Sequence, residues 1–291
     1  VFRSVAKNLS FTKASQELFV SQPAITKHIQ ELEAAYQTRL FDRQGSRISL
    51  TESGNLLLEH CERILEDYKR LEYEMHLLHN EYTGGLKLGA STTIAQYVLP
   101  PLLASFIGKF PQVSLSLLNG NSREIEAALQ EHRIDLGFVE GVFRLPNIRY
   151  TTFLEDELVA VVRTGSKLAV GEEITPDELF HLPLVLRERG SGTLDVFERA
   201  LQQHNIKLSS LQVLMYLGST ESIKLFLEHT DCLGIVSVRS ITRELYSGQL
   251  RVVEIKGMPM LRDFSFAQPQ GQESGLAQVF MQFAMHNNHK L

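Results

Sequence analysis

The sequence of 291 residues contains no tryptophan and two cysteines, Cys61 and Cys232. Two thiols in apolar surroundings are too few for a disulfide framework and fit a reducing cytoplasm. An inert buried thiol is commoner than a reactive one, so a redox-sensing cysteine is the alternative rather than the expectation. No apolar run approaches the roughly 20 residues that a membrane-spanning helix needs. We therefore expect a cytoplasmic protein without membrane contact.

A catalytic or metal-binding set is also missing from the sequence. The ten histidines show no ligand spacing beyond the pairs His76/His79 and His286/His289, which fall on solvent-facing helical positions. Residues 190–192 (Gly-Ser-Gly) lack both the lysine of a phosphate-binding loop and the Gly-x-Ser-x-Gly frame of a nucleophile elbow. We therefore expect no enzyme activity, no catalytic residue, no metal and no cofactor.

The formal net charge of −5 conceals an uneven distribution along the chain. Residues 1–50 carry seven Lys or Arg against four Asp or Glu, residues 51–82 carry three against eight, and residues 83–291 carry nineteen against twenty-two. Only the first segment is basic, and a nucleic-acid contact would have to lie there.

Two short amphipathic segments occupy residues 10–40, separated by a break at Phe19, Val20 and Ser21. In the first segment the spacing predicts three inward side chains, Phe11, Ala14 and Leu18. The second begins at Ser21, a good N-cap, with Pro23 in its first turn, where a missing N–H costs nothing. Its apolar stripe is formed by Ile25, Ile29 and Leu32. This pattern is typical of a helix-turn-helix, and a plain helical hairpin is the alternative.

The exposed positions of the second segment carry hydrogen-bonding side chains without an acid, which suits base edges and phosphates. Residues 40–50 then predict a hairpin with a glycine turn at Gly45 and one arginine on each arm, which is the shape of a wing on a phosphate backbone. The residues that we expect to contact DNA are Ser10, Thr12, Ser21, Gln22, Pro23, Thr26, Lys27, Gln30, Arg43 and Arg47.

A long helix is predicted from Thr51, its N-cap, to about Asn80. Apolar residues recur on it with a strict period of seven, which favours a dimer-forming seam over a helix packed on its own core. The seam consists of Leu57, Cys61, Ile64, Tyr68, Leu71, Met75 and Leu78. Tyr82 to Gly85 would end the helix and form a hinge.

Strand and helix patterns alternate from Leu86 to the end of the chain, which predicts an α/β domain with a parallel sheet. The predicted strands are 86–90, 113–118, 136–139, 158–162, 184–187, 212–216, 233–238 and 250–255. The predicted helices are 94–107, 123–132, one from 175, 193–203, 221–228, one from 240, and 276–286.

Four strand-to-helix turns, numbered in chain order, lie at residues 91–93, 119–122, 190–193 and 218–220. They offer hydroxyls, amides and free backbone N–H groups, which bind anions at the carboxyl ends of parallel strands. Ordinary helix capping is the alternative for any single turn. Arg187 and Arg189 flank the third turn and could supply countercharge, while Glu140 and Glu188 count against a highly charged anion unless they point away. The candidate effector-binding residues are Ser91, Thr92, Thr93, Asn119, Asn121, Glu140, Arg187, Gly190, Ser191, Gly192, Thr193, Gly218 and Ser219.

The run SFTKASQELFVSQPAITKHIQELE, followed by LFDR and LTESG, resembles the N-terminal domain of LysR-type transcriptional regulators. The chain departs from the family pattern at Tyr36-Gln37, where the family has Leu-Gly, which affects the local turn. The first helix starts mid-way at Val1, so we expect residues upstream in the full gene product.

The resemblance implies a winged helix-turn-helix (1–50), a linker and dimerisation helix (51–82) and an effector-binding domain (83–291). That domain would have two Rossmann-like α/β lobes like those of periplasmic solute-binding proteins. The first lobe would consist of about residues 86–162 and 265–291, and the second of about residues 163–264. The chain would cross between the lobes near Val162-Arg163 and near Phe264–Ala267. We expect an α/β protein overall that binds double-stranded DNA and a small anionic or polar effector as a homodimer or homotetramer, with RNA polymerase as a candidate partner. A cytoplasmic solute-binding protein without regulatory DNA binding is the alternative.

Overall fold

The computed structural model describes residues 1–44, 47–79, 82–142, 144–168, 171–270 and 275–288, and for residues 43, 44, 47, 66, 69, 70 and 72–79 it describes the backbone alone. The chain divides into two compact units, Val1–Asn80 and Glu81–Leu291. No helix in the described ranges is long and apolar enough to cross a membrane.

The N-terminal unit contains three short helices, a two-stranded hairpin and a long helix. These are α1 (Phe2–Asn8), α2 (Phe11–Leu18), α3 (Gln22–Tyr36), β1 (Phe41–Gln44), β2 (Arg47–Leu50) and α4 (Glu52–His79). The predicted helix-turn-helix and wing are therefore present in the fold. Their core consists of Phe2, Val5, Ala6, Phe11, Ala14, Ile25, Ile29, Leu40 and Phe41.

Two details of the helix-turn-helix differ from the sequence-based expectation. Leu18 is 36% exposed rather than inward, because α2 ends at this residue. Ser21 stands at the N-cap position of α3, but its side chain makes no capping hydrogen bond. The Ser21 hydroxyl is consequently exposed at the start of α3.

The motif residues Glu33 and Gly54 hold the wing against the helices. The Glu33 carboxylate accepts a hydrogen bond from the Leu40 N–H at 2.8 Å, just before β1. Thr51 caps α4 as predicted, since its hydroxyl accepts from the Gly54 N–H at 2.9 Å. Gln37 ends α3 in the left-handed region, at φ 51°. The family has glycine at this position, and glycine adopts this backbone conformation at a lower free-energy cost than glutamine does.

Replacing Gly54 with alanine should destabilise the N-terminal unit by about 1–3 kcal/mol, because overpacking displaces the neighbouring backbone. A Cβ at this position would lie 2.1 Å from the Leu40 carbonyl oxygen. Thermal unfolding followed by circular dichroism measures the change. Asn55→Ala, at the next position of the same helix and exposed, is the control, and equal melting temperatures for the two variants would contradict the expectation.

The long helix α4 is used in two different ways along its length. Leu57 and Cys61 are partly buried against the core of their own unit, whereas the sequence assigned them to the dimer seam. The reason is that the start of α4 packs on α1. Farther along, Ile64, Tyr68 and Leu71 are more than half exposed. Met75 and Leu78 lie outside the side chains that the structure describes.

The C-terminal unit alternates strands and helices. Its first half contains β3 (Gly84–Ser91), α5 (Thr92–Tyr97), α6 (Leu99–Lys109), β4 (Val113–Gly120), α7 (Ser122–Gln130), β5 (Leu136–Glu140) and β6 (Ile148–Arg163). Its second half contains β7 (Glu173–Ile174), β8 (Pro183–Arg187), α8 (Gly192–Gln203), β9 (Gln212–Leu217), α9 (Thr220–His229), β10 (Leu233–Ser237), α10 (Thr242–Tyr246), β11 (Leu250–Ile255), β12 (Leu261–Pro269) and α11 (Gly275–Asn287).

Within the described part of this unit, three short segments are 3-10 helices, Pro176–His181, Leu208–Ser210 and Val238–Ser240. The first begins after Thr175, whose backbone N–H donates to the Glu178 carboxylate at 2.7 Å, as in a capping box. The predicted helix 94–107 is split into α5 and α6 at Val98, ahead of Pro100 and Pro101.

The sheet is mixed rather than wholly parallel, in the order β4-β3-β5-β12-β6-β10-β8-β9, with β11 on β6 and β7 on β11. Parallel pairs link β3 to β4 and β5, and link β8 to β9 and β10. The long strands β6 and β12 run antiparallel to each other and to their neighbours. The sequence did not predict β12, nor residues 148–157 of β6.

The two lobes share β6, which changes its pairing partner along its length. Residues 148–157 of β6 pair with β12, whereas 158–161 pair with β10. The change therefore lies at Glu157-Leu158, before the expected crossing at Val162-Arg163. In β12, Phe264–Ala267 pair with β5 and already belong to the first sheet, so the return crossing precedes them.

Candidate DNA-contact surface and effector cleft

The start of α3 presents the polar surface that the sequence predicted. Gln22, Lys27 and Gln30 are exposed. Thr12 on α2 reaches the same place, with its hydroxyl 3.4 Å from the Gln22 side-chain oxygen. The Thr26 hydroxyl donates to the Gln22 carbonyl at 3.1 Å, and Lys27 lies 3.8 Å from Glu31.

Other residues of the predicted DNA-contact set occupy the edges of this surface. Ser10 caps α2, accepting from the Lys13 N–H at 3.2 Å, and Pro23 is exposed in the first turn of α3. Arg43 and Arg47 lie on adjacent strands of the wing, opposite Ile48 and Gln44 respectively. The side chains of Arg43 and Arg47, and the turn at Gly45 and Ser46, lie outside the described residues.

In the C-terminal unit, Arg187 joins the first and fourth predicted turns across the lobes. It stands at the end of β8 in the second lobe and is 1% exposed. Its guanidinium donates to the Thr92 hydroxyl of the first lobe at 3.4 Å, and to the Gly218 carbonyl and Thr220 hydroxyl at 3.3 and 3.5 Å. Its closest partner is the Glu188 carboxylate, at 2.8 and 3.0 Å.

Glu140 joins the first and third turns at the same boundary. It ends β5, and its carboxylate accepts from Thr93 at 3.2 Å and from Thr193 at 3.4 Å. Arg262 neutralises it at 3.2 Å. Neither Glu140 nor Glu188 is therefore an unbalanced negative charge, which removes the objection to an anionic ligand that the sequence raised.

Arg262 and Asp156 were missed by reasoning from the sequence. Arg262 on β12 forms two 2.7 Å contacts with Asp156 of β6 and a 3.1 Å hydrogen bond to Thr193. Ser237 also donates to Asp156, at 2.7 Å. The alternation of charge in LRDFSF and LEDEL was a weak signal, since it marks strand faces without showing that the two strands pair.

Several turn residues act as ordinary helix caps, which was the alternative to anion binding for any single turn. Asn121 forms a capping box with Glu124. Ser191 and Ser219 accept from the Leu194 and Ser222 N–H groups, at 3.2 and 3.1 Å.

Other turn residues are placed differently. Asn119 is exposed at the end of β4. Ser91 is buried, and its hydroxyl has no hydrogen-bond partner among the described residues.

Glycines allow the third turn to approach the first lobe closely. A Cβ on Gly192 would lie 2.3 Å from the Glu140 carbonyl oxygen. Gly190, at φ +94°, accepts from the Arg123 N–H at 3.3 Å and packs against Asn121, which brings the second and third turns together. All four predicted turns therefore meet at the boundary between the lobes.

A further contact between the lobes was not predicted. The Tyr97 hydroxyl of α5 donates to Glu221 of α9, and Glu221 also pairs with the buried Lys224 at 2.8 Å. Burial, reinforced by the bond to Glu221, raises the pKa of Tyr97 well above its usual range, so it remains a neutral donor.

The cysteines have the surroundings of structural residues. Cys232 is buried, and burial raises the pKa of its thiol to about 11, which disfavours the reactive thiolate. Among the described residues, no group of three His, Cys, Asp or Glu side chains could hold a metal ion.

Comparison with protein families gives two matches that together span most of the chain. Residues 1–55 match the family described as bacterial regulatory helix-turn-helix protein, lysR family. Residues 79–288 match the family described as LysR substrate binding domain. Among curated proteins, YeiE of Escherichia coli K12, named an uncharacterized HTH-type transcriptional regulator, is 35% identical over 255 residues, covering 88% of this chain and 84% of its own.

Solved structures give the same result. The regulatory domain of CcmR from Synechocystis PCC6803, in complex with 2-PG, has a TM-score of 0.64 and 28% identity, covering 70% of this chain and 97% of that one. CrgA from Neisseria meningitidis, a LysR-type transcriptional regulator, has a TM-score of 0.74 at 19% identity, covering 98% of this chain and 96% of that one. At this identity CrgA supports the fold alone.

Proposed function

Since the chain belongs to the LysR family, and is thus a DNA-binding transcriptional regulator with an effector-binding domain, we propose that α3 reads the operator and that an anionic effector binds between the two lobes. The observation that carries the effector proposal is Arg187, a buried guanidinium that contacts both lobes. The CcmR domain holding 2-PG supports this class of ligand.

The proposed reading surface is the start of α3. Gln22 and Gln30 present amides that can pair with base edges, and Lys27 presents a charge for phosphate. Ser21 belongs to the same surface because it is exposed at the start of α3. Its hydroxyl makes no capping hydrogen bond and can therefore contact DNA. Arg43 and Arg47 would lie along the backbone from the wing, and Ser10, Thr12, Pro23 and Thr26 would complete the contact.

The dimer seam is proposed for the exposed part of α4. Ile64, Tyr68 and Leu71 present apolar side chains there, and a second copy of α4 would cover them. Two recognition helices must lie about 34–36 Å apart to read paired half-sites. The 28 residues of α4 make a helix roughly 42 Å long at about 1.5 Å per residue, which is long enough to set such a distance.

We propose that the protein works in the cytoplasm, where its DNA is, and that it has no catalytic activity. The side chains at the lobe boundary support the second statement, because the carboxylates of Glu140 and Glu188 are neutralised by Arg262 and Arg187. A solute-binding protein without DNA binding would share the cleft and would have no use for the surface on α3.

An electrophoretic mobility shift over a salt series tests the DNA surface. Gln22→Ala should lower discrimination between operator and unrelated duplex by about 5- to 160-fold, because a bidentate base contact contributes about 1–3 kcal/mol. Arg43→Ala should weaken binding to every duplex and reduce the salt slope by about one. Gln16→Ala, at an exposed position of α2, is the control and should change neither quantity.

Each outcome of this experiment has a distinct meaning. A change in sequence preference alone in Arg43→Ala would show that the wing does not contact the backbone. Duplex binding that does not respond to salt in the unaltered chain would remove the proposed surface altogether.

A further inference from the structure

Arg187 is the largest side chain that is fully buried among the described residues. A buried guanidinium needs a countercharge, because taking a charge out of water is costly. Its hydrogen bonds to Thr92, Thr220 and Gly218, at 3.3–3.5 Å, are at the long and weak end of the range and go to neutral groups. These contacts leave the countercharge to another residue.

The countercharge comes from Glu188, the next residue in the chain. Arg187 Nε lies 2.8 Å from Glu188 Oε2, and Arg187 Nη2 lies 3.0 Å from Oε1. This is the paired, two-bond geometry with which arginine recognises carboxylate, sulfate and phosphate groups. The carboxylate of Glu188 thus covers the edge of the guanidinium that an oxyanion would use.

The side chain of Glu188 can leave while its backbone stays. The Glu188 N–H donates to the Leu217 carbonyl at 3.2 Å, and its carbonyl accepts from the Ser191 N–H at 3.2 Å. The side chain is 26% exposed. In the described part of the chain its carboxylate has no hydrogen-bond partner besides Arg187, so rotation toward water breaks that pair alone.

We propose that the Glu188 carboxylate occupies the place of the effector's anionic group in the ligand-free protein, and that a small molecule bearing a carboxylate, sulfate or phosphate group displaces it from Arg187. This inference rests on the effector function proposed above and adds the ligand class and the residue that competes with it. A tetrahedral group has oxygens beyond the two that Arg187 engages. The hydroxyl of Thr220, already in contact with the guanidinium, can donate to one of them, whereas the Thr92 hydroxyl donates to the Gly120 carbonyl at 3.2 Å.

The displacement gives Glu188 two roles. It lowers the apparent affinity for every anion, because the internal pair must break first, and so raises the ligand concentration at which the protein responds. It also excludes neutral molecules, which cannot replace its charge. Because Thr92 belongs to the first lobe and Glu188 to the second, the exchange alters the set of contacts that join the lobes.

Calorimetric titration of the full chain with sulfate, and separately with 2-PG, tests the proposal. Glu188→Gln removes the charge and one of the two acceptors, and it should bind the anions about tenfold more tightly than the unaltered chain. Glu188→Asp, which keeps the charge but is too short to make both bonds, should give a smaller gain. Glu228→Gln, exposed on α9 of the same lobe, makes the same change in net charge and should stay within twofold.

The outcomes separate this inference from the function on which it rests. Equal or weaker affinity in Glu188→Gln, with binding abolished in Arg187→Met, would overturn the displacement and leave the cleft as the effector site. Unchanged affinity in Arg187→Met would overturn both. Absence of binding to either anion in Glu188→Gln and Glu188→Asp, with circular dichroism showing native folding, would also overturn the displacement, because Arg187 would then be free for the ligand.

Discussion

Arg262→Ala should lower the free energy of unfolding of the C-terminal unit by about 3–5 kcal/mol, because among the described residues it leaves the buried Glu140 carboxylate without a countercharge and leaves Asp156 with Arg239 alone, at 3.6 Å. Arg262 lies between two buried carboxylates, Glu140 at 3.2 Å and Asp156 at 2.7 Å. It also holds the Thr193 hydroxyl of the third turn at 3.1 Å. Urea unfolding followed by circular dichroism suits the measurement, since the chain has no tryptophan to report by fluorescence.

Two further variants make this result specific. Arg262→Lys keeps the charge but lacks the fork that serves Asp156 and Glu140 together, so it should fall between alanine and the unaltered chain. Arg149 lies on the same pair of strands, is exposed, and donates to the Gln268 side chain at 3.0 Å. Because it is a surface substitution, Arg149→Ala should lower the free energy of unfolding by less than about 1 kcal/mol.

Arg262 and Asp156 also line a cavity of about 360 Å³. If water entering this cavity hydrates the two carboxylates fully, Arg262→Ala will resemble the Arg149→Ala control, and the expectation of a large loss of stability will be wrong.

Gly192→Ala should weaken the binding of anions in the cleft by at least about 30-fold, because overpacking of this kind costs about 2 kcal/mol. The new Cβ would lie 2.3 Å from the Glu140 carbonyl oxygen, and this atom belongs to the end of a central strand that cannot easily move. The third turn would be displaced from the first lobe, and the contacts from Thr193 to Glu140 and Arg262 would lengthen. Calorimetry with sulfate or 2-PG, on the Glu188→Gln background if the unaltered chain binds weakly, measures the loss.

Gly108→Ala is the matched control for this substitution. Gly108 lies on α6, and a Cβ added there would meet no atom of the described residues within 4 Å. Alanine should therefore leave anion binding unchanged and favour the helix slightly. Anion affinity in Gly192→Ala equal to that of the control would show that the two lobes do not need this close approach.

The helix-turn-helix was predictable because its determinants are local. Thr51 caps its helix as expected, and the stripe of Ile25 and Ile29 is buried. The four turns of the cleft were likewise visible, since each strand-to-helix turn carries its own chemistry. Leu57 and Cys61 show the limit of periodicity, because a seam with a period of seven does not reveal whether a partner or the chain's own core covers each residue.

The sequence alone determined the family, the order of elements and the polar turns, because capping, helical periodicity and motif spacing act over a few residues. Only the tertiary structure decided which charges meet. Arg262 reaches Asp156 from 106 positions away and Arg187 reaches Thr92 from 95, and no local pattern encodes such a pairing. Burial then turns these long-range contacts into the properties of the cleft, since a charge in a dry boundary must find its partner there. In the first fifty residues sequence and structure therefore agree closely, whereas at the lobe boundary only the structure gives Glu188, Asp156 and Arg262 their roles.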